Sequence, residues 1–199
     1  MSTAVKLATA ADLAYLDPER GWEILGGEIV EKAAPTWNHG RVQSRVVSHV
    51  GPPFDRRPGG SDGPGGWWFV VEVDIEFDLH DIIRPDIAGW RRERVPEAPE
   101  GFPVRIRPDW VCEVLSPSTA RRDLGAKRRL LHAHEVPWYW TVDPVAQFVQ
   151  VLRWTSEGYL VEATAEPGEH VGLPPFEAVE LDVGRLFGIE PEEPVREAE

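Results

Sequence analysis

The sequence predicts an α/β domain in which a mixed, curved central sheet is flanked by helices. Three observations lead there. Asp109–Leu115 is a short apolar run stopped by Ser116-Pro117, the pattern of a strand buried on both faces. Val71–Asp78 alternates apolar and acidic residues, as a half-buried strand does. Apolar residues recur at helical spacing after Thr36 and again through 119–135, so helical patterns interleave with strands. At 199 residues the chain suits one domain with a full core, expected over 1–188, with 189–199 an acidic, disordered tail.

Thr9–Leu16 reads as a short helix with Thr9 as its N-cap. Trp22–Leu25 and Glu28–Lys32 flank Gly26-Gly27 and form a hairpin signal. Thr36 caps a helix to Val50, with His39, Val42, Val46 and Val50 on one stripe, so His39 faces the interior or a site. Gly51–Gly66, dense in Gly and Pro, reads as a flexible loop. In the strand that follows, Glu72, Asp74, Glu76 and Asp78 are expected on a wet face. Ile87–Trp90 is a second apolar segment, and the Pro-, Glu- and Arg-rich loop Arg91–Arg107 separates it from Asp109–Leu115. Beyond the 119–135 helix, Trp138–Val142 and Phe148–Trp154 are apolar strands about an Asp143-Pro144 turn, and Tyr159–Ala163 adds another. Trp110, Trp138 and Trp140 are core candidates; for Trp67, Trp68 and Trp90 stacking on a base is conceivable but packing is the stronger reading, since aromatic residues in apolar runs usually pack.

The net charge of −13 argues against a nonspecific coat on nucleic acid. Its distribution softens that. Residues 84–134 hold eleven Arg or Lys against seven Asp or Glu, a net +4, while the rest of the chain carries −17. A single cysteine, Cys112, excludes a disulfide within the chain and fits a cytoplasmic location. No signal pattern opens the sequence and no run reaches membrane-spanning length. His132 and His134 point apart on a helix, so no zinc spacing is present.

Glu113 most needs a chemical reason. A carboxylate within a buried strand is costly to desolvate unless a cation meets it. Asp109 shares its face, but four residues at about 3.3 Å each put it about 13 Å away. Asp86, 27 residues upstream, heads the Ile87–Trp90 segment. On adjacent strands, about 4.8 Å apart, the two carboxylates converge on one Mg²⁺, an ion typically held by one or two carboxylates with water and phosphate. The all-oxygen donor set suits Mg²⁺ or Mn²⁺ over zinc. Lys127 shares a helical stripe with Leu124, Leu131 and His134, where its amine can meet a charged substrate. Asp123, one turn earlier, either steers Lys127 or makes an ordinary i,i+4 pair. Glu28 follows a turn and is either exposed or part of the site.

The ordered words Trp22-Glu23-Ile24-Leu25-Gly26-Gly27-Glu28-Ile29-Val30, Pro35 with His39, Arg84-Pro85-Asp86, Glu113-Val114-Leu115-Ser116-Pro117-Ser118-Thr119, Asp123 with Lys127, and Val136-Pro137-Trp138-Tyr139-Trp140-Thr141-Val142-Asp143-Pro144 resemble the Uma2 (DUF820) restriction-endonuclease branch of the PD-(D/E)xK nucleases. The likeness spans roughly residues 15–160. It implies a restriction-endonuclease-like fold and metal-dependent cleavage of DNA. Asp86 and Glu113 would be metal ligands, Lys127 would be catalytic, and Glu28, His39 and Asp123 would be additional site residues. It also implies a homodimer. The third position of E-x-K is Leu115, and Lys127 on the helix takes the place of the strand lysine. Leu131, Glu135 and Trp138 depart from the family's usual Tyr, Gly and Glu. Two other readings stay open: a non-catalytic interaction or regulatory module on the same fold, and a hydrolase of RNA or nucleotide phosphodiesters.

Overall fold

The computed structural model describes residues 6–17, 19–61 and 63–189; residues 190–199 of the expected tail lie outside them. The elements in chain order are α1 (Ala10–Leu13), β1 (Gly21–Leu25), β2 (Glu28–Lys32), α2 (Trp37–Phe54), β3 (Trp67–Val71), β4 (Ile75–Asp78), β5 (Asp81–Ile83), β6 (Ile87–Arg91) and β7 (Trp110–Val114). They continue with α3 (Ala120–Arg122), a π turn (Asp123–Lys127), α4 (Arg128–Ala133), β8 (Trp138–Asp143), β9 (Phe148–Thr155), β10 (Gly158–Ala165), β11 (His170–Val171), β12 (Leu181–Asp182) and α5 (Val183–Phe187).

The main sheet has six strands in the order β10-β9-β8-β7-β6-β3. Only β7 and β8 run parallel, joined by the helical crossover through α3 and α4, so the sheet is mixed. A second sheet, β2-β1-β5-β4, holds the N-terminal hairpin. Every residue of β7 is buried, as expected of a strand covered on both sides. Its alternation divides the interior. Trp110, Cys112 and Val114 face a core shared with Val42, Val46, Val50 and Phe54 of α2. Val111 faces a second cluster with Leu130, Leu131, Tyr139 and Ile83. By the same two-residue period, Glu113 lies on the Val111 face. Among the described residues no helix is long and apolar enough to cross a membrane.

Four elements differ from expectation. The strand expected over Val71–Asp78 is broken: β3 belongs to the six-stranded sheet and β4 to the four-stranded one. The chain turns at Glu72, where φ is 52°. Asp74 is not on a wet face, because it is buried and held by the Arg84 guanidinium at 2.6 and 2.9 Å. α2 runs past Val50 through Pro52-Pro53. That continuation keeps Phe54 on the Val42–Val46–Val50 stripe, packed 5.0 Å from the Phe176 ring. The helix after Thr119 is interrupted by the π turn, whose wider spacing turns Asp123 and Lys127 inward and leaves Leu124 exposed. At the N-terminus α1 is shorter than predicted. Thr9 donates its backbone N–H and hydroxyl to the Asp12 carboxylate at 2.9 and 3.0 Å.

Candidate active site

Antiparallel pairing of β6 with β7 matches Ile87 to Cys112 and Ala88 to Val111. The same register, continued by one residue, sets Asp86 across from Glu113. Directly opposed residues of antiparallel strands share a face with Cβ atoms about 4.5–5.5 Å apart, so the two carboxylates meet. Asp86 is fixed on several sides. One oxygen accepts the Val114 N–H at 2.7 Å and lies 3.3 Å from His39 Nε2; the other accepts Lys32 Nζ at 2.8 Å. Thr36 caps α2 by accepting the N–H of His39, which aims the ring back toward the sheet.

Lys127 anchors the other half. Its ammonium lies 2.8 Å from Glu113, 2.8 Å from Glu23 and 3.5 Å from Asp123. Glu23 also accepts the Arg84 N–H at 2.9 Å and faces Arg122 at 3.3 Å. This ties the hairpin, the Arg84-Pro85-Asp86 turn and the π turn together. Lys127 is 2 % exposed. An amine snorkelling to solvent is therefore ruled out, since its charge is met inside by three carboxylates.

The electrostatics of the two halves differ. Burial drives the Glu113 carboxyl well above its ordinary range; Lys127 opposes this, while Asp86 and Asp123 add to it. Asp123 is raised by burial, again against the pull of Lys127. Burial also works to raise Asp86, yet the adjoining His39 ring and the Lys32 ammonium outweigh it and hold the carboxyl well below the usual range. Lys127 is desolvated, but Glu113, Glu23 and Asp123 push it well above an ordinary lysine, so it stays charged.

The structure thus gathers Asp86, Glu113, Lys127, Asp123 and His39 around one small space of about 30 Å³. Glu28 is not among them. It is exposed at the start of β2, opposite Leu25. Glu23, at the centre of the acid cluster, escaped the sequence reading, although it presents the signal that singled out Glu113, a carboxylate inside the apolar run Trp22–Leu25. Lys32 escaped as well, and nothing in its neighbours marks a lysine at a strand end as buried. Asp109, set aside as too distant, is held elsewhere by Arg94 at 2.8 Å.

The donors suit a hard cation. Glu23, Asp86, Glu113 and Asp123 are four buried carboxylates met by the ammonium groups of Lys32 and Lys127, with Arg122 at the edge. The space between them, about 30 Å³, has room for an ion with a water or two and is too small for a nucleotide.

The overall fold has a known neighbour. The crystal structure of a putative nuclease belonging to DUF820 from Anabaena variabilis matches with a TM-score of 0.66 and 25 % identity, covering 90 % of this chain and 97 % of that one. The fold is that of this nuclease class. The chain belongs to the Uma2 family, "Putative restriction endonuclease", whose family model matches residues 9–184. Among curated proteins none matches.

Proposed function

We propose that the protein is a metal-dependent endonuclease that cleaves DNA. The observation that carries this reading is the opposition of Asp86 and Glu113 across the β6–β7 ladder, beside a buried, charged lysine. Asp86 and Glu113 would hold Mg²⁺ or Mn²⁺, which when bound supplies polarisation of the scissile phosphoryl group and a more acidic water. Lys127 contributes fixed positive charge next to Glu113, where negative charge grows on the phosphoryl oxygens. The Glu23 and Asp123 carboxylates keep that ammonium charged and restrict its position. Val114 N–H orients the Asp86 carboxylate toward its partner. The space at the acids is too small for a nucleotide, so a phosphodiester backbone would approach from the rim, where Arg122 and Ser118 line the opening. Of the basic residues in the 84–134 stretch, Arg122 and Lys127 line this space and are the ones available to meet an anionic backbone there.

The test is cleavage of supercoiled plasmid and of single-stranded RNA in Mg²⁺ or Mn²⁺, with Glu113→Gln and Asp86→Asn as controls. Nicking that needs metal and disappears in both variants is expected. Cutting confined to RNA would replace DNA as substrate. No cutting of either, by folded protein with metal, would favour the interaction-module reading, which the close pairing of Lys127 with Glu113 and of Lys32 with Asp86 already suggests.

A further inference from the structure

Next to the Asp86–Glu113 pair lies a second arrangement of donors. His39 Nε2, a Glu72 oxygen and an Asp86 oxygen lie within 4.8 Å of one another. His39 is 8 % exposed, and its Nε2 has no hydrogen-bond partner, although it sits 3.3 Å from the carboxylate of Asp86. That single long contact leaves the buried nitrogen poorly satisfied, a cost that a bound cation would relieve. A cation already sits among these oxygens. Lys32 Nζ is 2.6 Å from Glu72, 2.8 Å from Asp86 and 2.9 Å from the Arg84 carbonyl. Gln43 holds the same frame, donating to the Asp86 carbonyl at 2.8 Å and to Glu72 at 3.3 Å.

We infer that His39, Glu72 and Asp86 form a second divalent-cation site, occupied in the metal-free protein by the Lys32 ammonium. Three ligands about 2.2 Å from one ion in a tetrahedral shell lie about 3.6 Å apart; His39 and Asp86 are already 3.3 Å apart, so a closure of at most about 1.2 Å by the exposed Glu72 side chain completes the set. The imidazole sets the metal class. One nitrogen with two carboxylates favours Mn²⁺, Co²⁺ or Zn²⁺ over Mg²⁺ and Ca²⁺, which prefer oxygen throughout. Lys32 lines both the small space at the acids and a larger cleft of about 450 Å³ that Glu72 also lines. Its flexible stem gives the ammonium a way out and an ion a way in. Metal binding at this site is therefore an exchange of one cation for another, with Lys32 setting the threshold.

The probe is Mn²⁺ alone, bound to the full chain and followed by electron spin-echo spectroscopy, which detects a directly coordinated imidazole nitrogen. Wild type and Glu113→Gln should both show nitrogen coupling, and His39→Gln should lose it. Should His39→Gln fail to fold, Glu72→Gln on an exposed side chain serves instead, and Mn²⁺ should bind it more weakly. Lys32→Met should tighten Mn²⁺ by about tenfold or more, because a full positive charge within a few ångströms of the ion is gone. Mn²⁺ that binds wild type without nitrogen coupling, or does not bind at all, overturns the inference. Unchanged coupling in His39→Gln overturns it too. DNA cleavage without nitrogen coupling would leave the nuclease proposal standing and remove this site; nitrogen coupling without cleavage would do the reverse.

Discussion

Two lysines each lie 2.8 Å from one of the facing acids, yet they live in different surroundings. Lys127 is sealed, with Glu113, Glu23 and Asp123 about it and 2 % of its side chain exposed. Lys32 has 11 % of its side chain exposed and shares its ammonium between Asp86, the exposed Glu72 and a backbone carbonyl. Desolvation makes the difference. A buried charge whose partner is deleted has nowhere to go, whereas one at a cleft wall can turn to water. Lys127 is therefore built into the fold, whereas Lys32 sits at a cleft wall from which it can turn to water.

The largest effect should come from breaking the sealed half. Lys127→Met leaves three buried carboxylates short of their shared cation, an expected cost of about 4 kcal/mol, or about 8–16 °C in Tm. Thermal melts of metal-free protein measure it. A Tm within a degree of wild type would mean that the acids take up protons at no cost, and that Lys127 is not needed to hold them. Glu113→Gln acts on the same half in the opposite sense. It removes a carboxylate that burial already drives toward its neutral form, while Lys127 keeps Glu23 and Asp123. The metal-free protein should melt no lower than wild type. DNA cleavage should nonetheless fall by more than about 10²-fold, and any rise of Tm with Mg²⁺ should vanish. A clearly lower Tm would show that the ionised Glu113–Lys127 pair stabilises the fold.

The open half should respond less. Lys32→Met frees Glu72 to turn to solvent, and Asp86 keeps the Val114 N–H. The expected loss is about 2 kcal/mol, or about 4–8 °C, and Mn²⁺ should restore most of it by binding only the folded state. A loss as large as that of Lys127→Met would erase the distinction between the two lysines.

How far the sequence reveals this contrast depends on which physical signal each residue carries. β7 is legible because an unbroken apolar run with a hard Ser-Pro stop has few other destinations. Asp86 and Glu113 could be placed on neighbouring strands because each heads or sits in such a run, and the β6–β7 pairing does adjoin them. Glu23 carried the same mark but lay in a hairpin that looked complete by itself. The partners of Lys32 are 40 and 54 residues away, and no periodicity encodes a contact at that range. The break in the 71–78 strand was hidden because alternation continues on both sides of it; only the Asp74–Arg84 pair reveals the turn. Regular helical spacing likewise placed Leu124 on the stripe of Lys127, and a π turn, which leaves no mark in apolar periodicity, put it outside.

That π turn offers the smallest and finest test. From β8, the Tyr139 hydroxyl donates to the Asp123 carbonyl at 3.1 Å. Burial raises the phenol well above its ordinary range, so it remains a donor at neutral pH. Tyr139→Phe removes this one buried hydrogen bond with almost no change of shape, at an expected cost of about 1 kcal/mol, or about 2–4 °C. The bond touches the backbone of the turn and not the ammonium of Lys127, which Glu113 and Glu23 hold independently. If the carboxylates position Lys127, cleavage by Tyr139→Phe should stay within about threefold of wild type, less than about 0.7 kcal/mol on the barrier. A loss of cleavage approaching that of Glu113→Gln, in protein that still melts within a few degrees of wild type, would assign the positioning to the π turn instead. The sealed half would then owe its function to backbone geometry, and the acids around Lys127 would serve only to keep it charged.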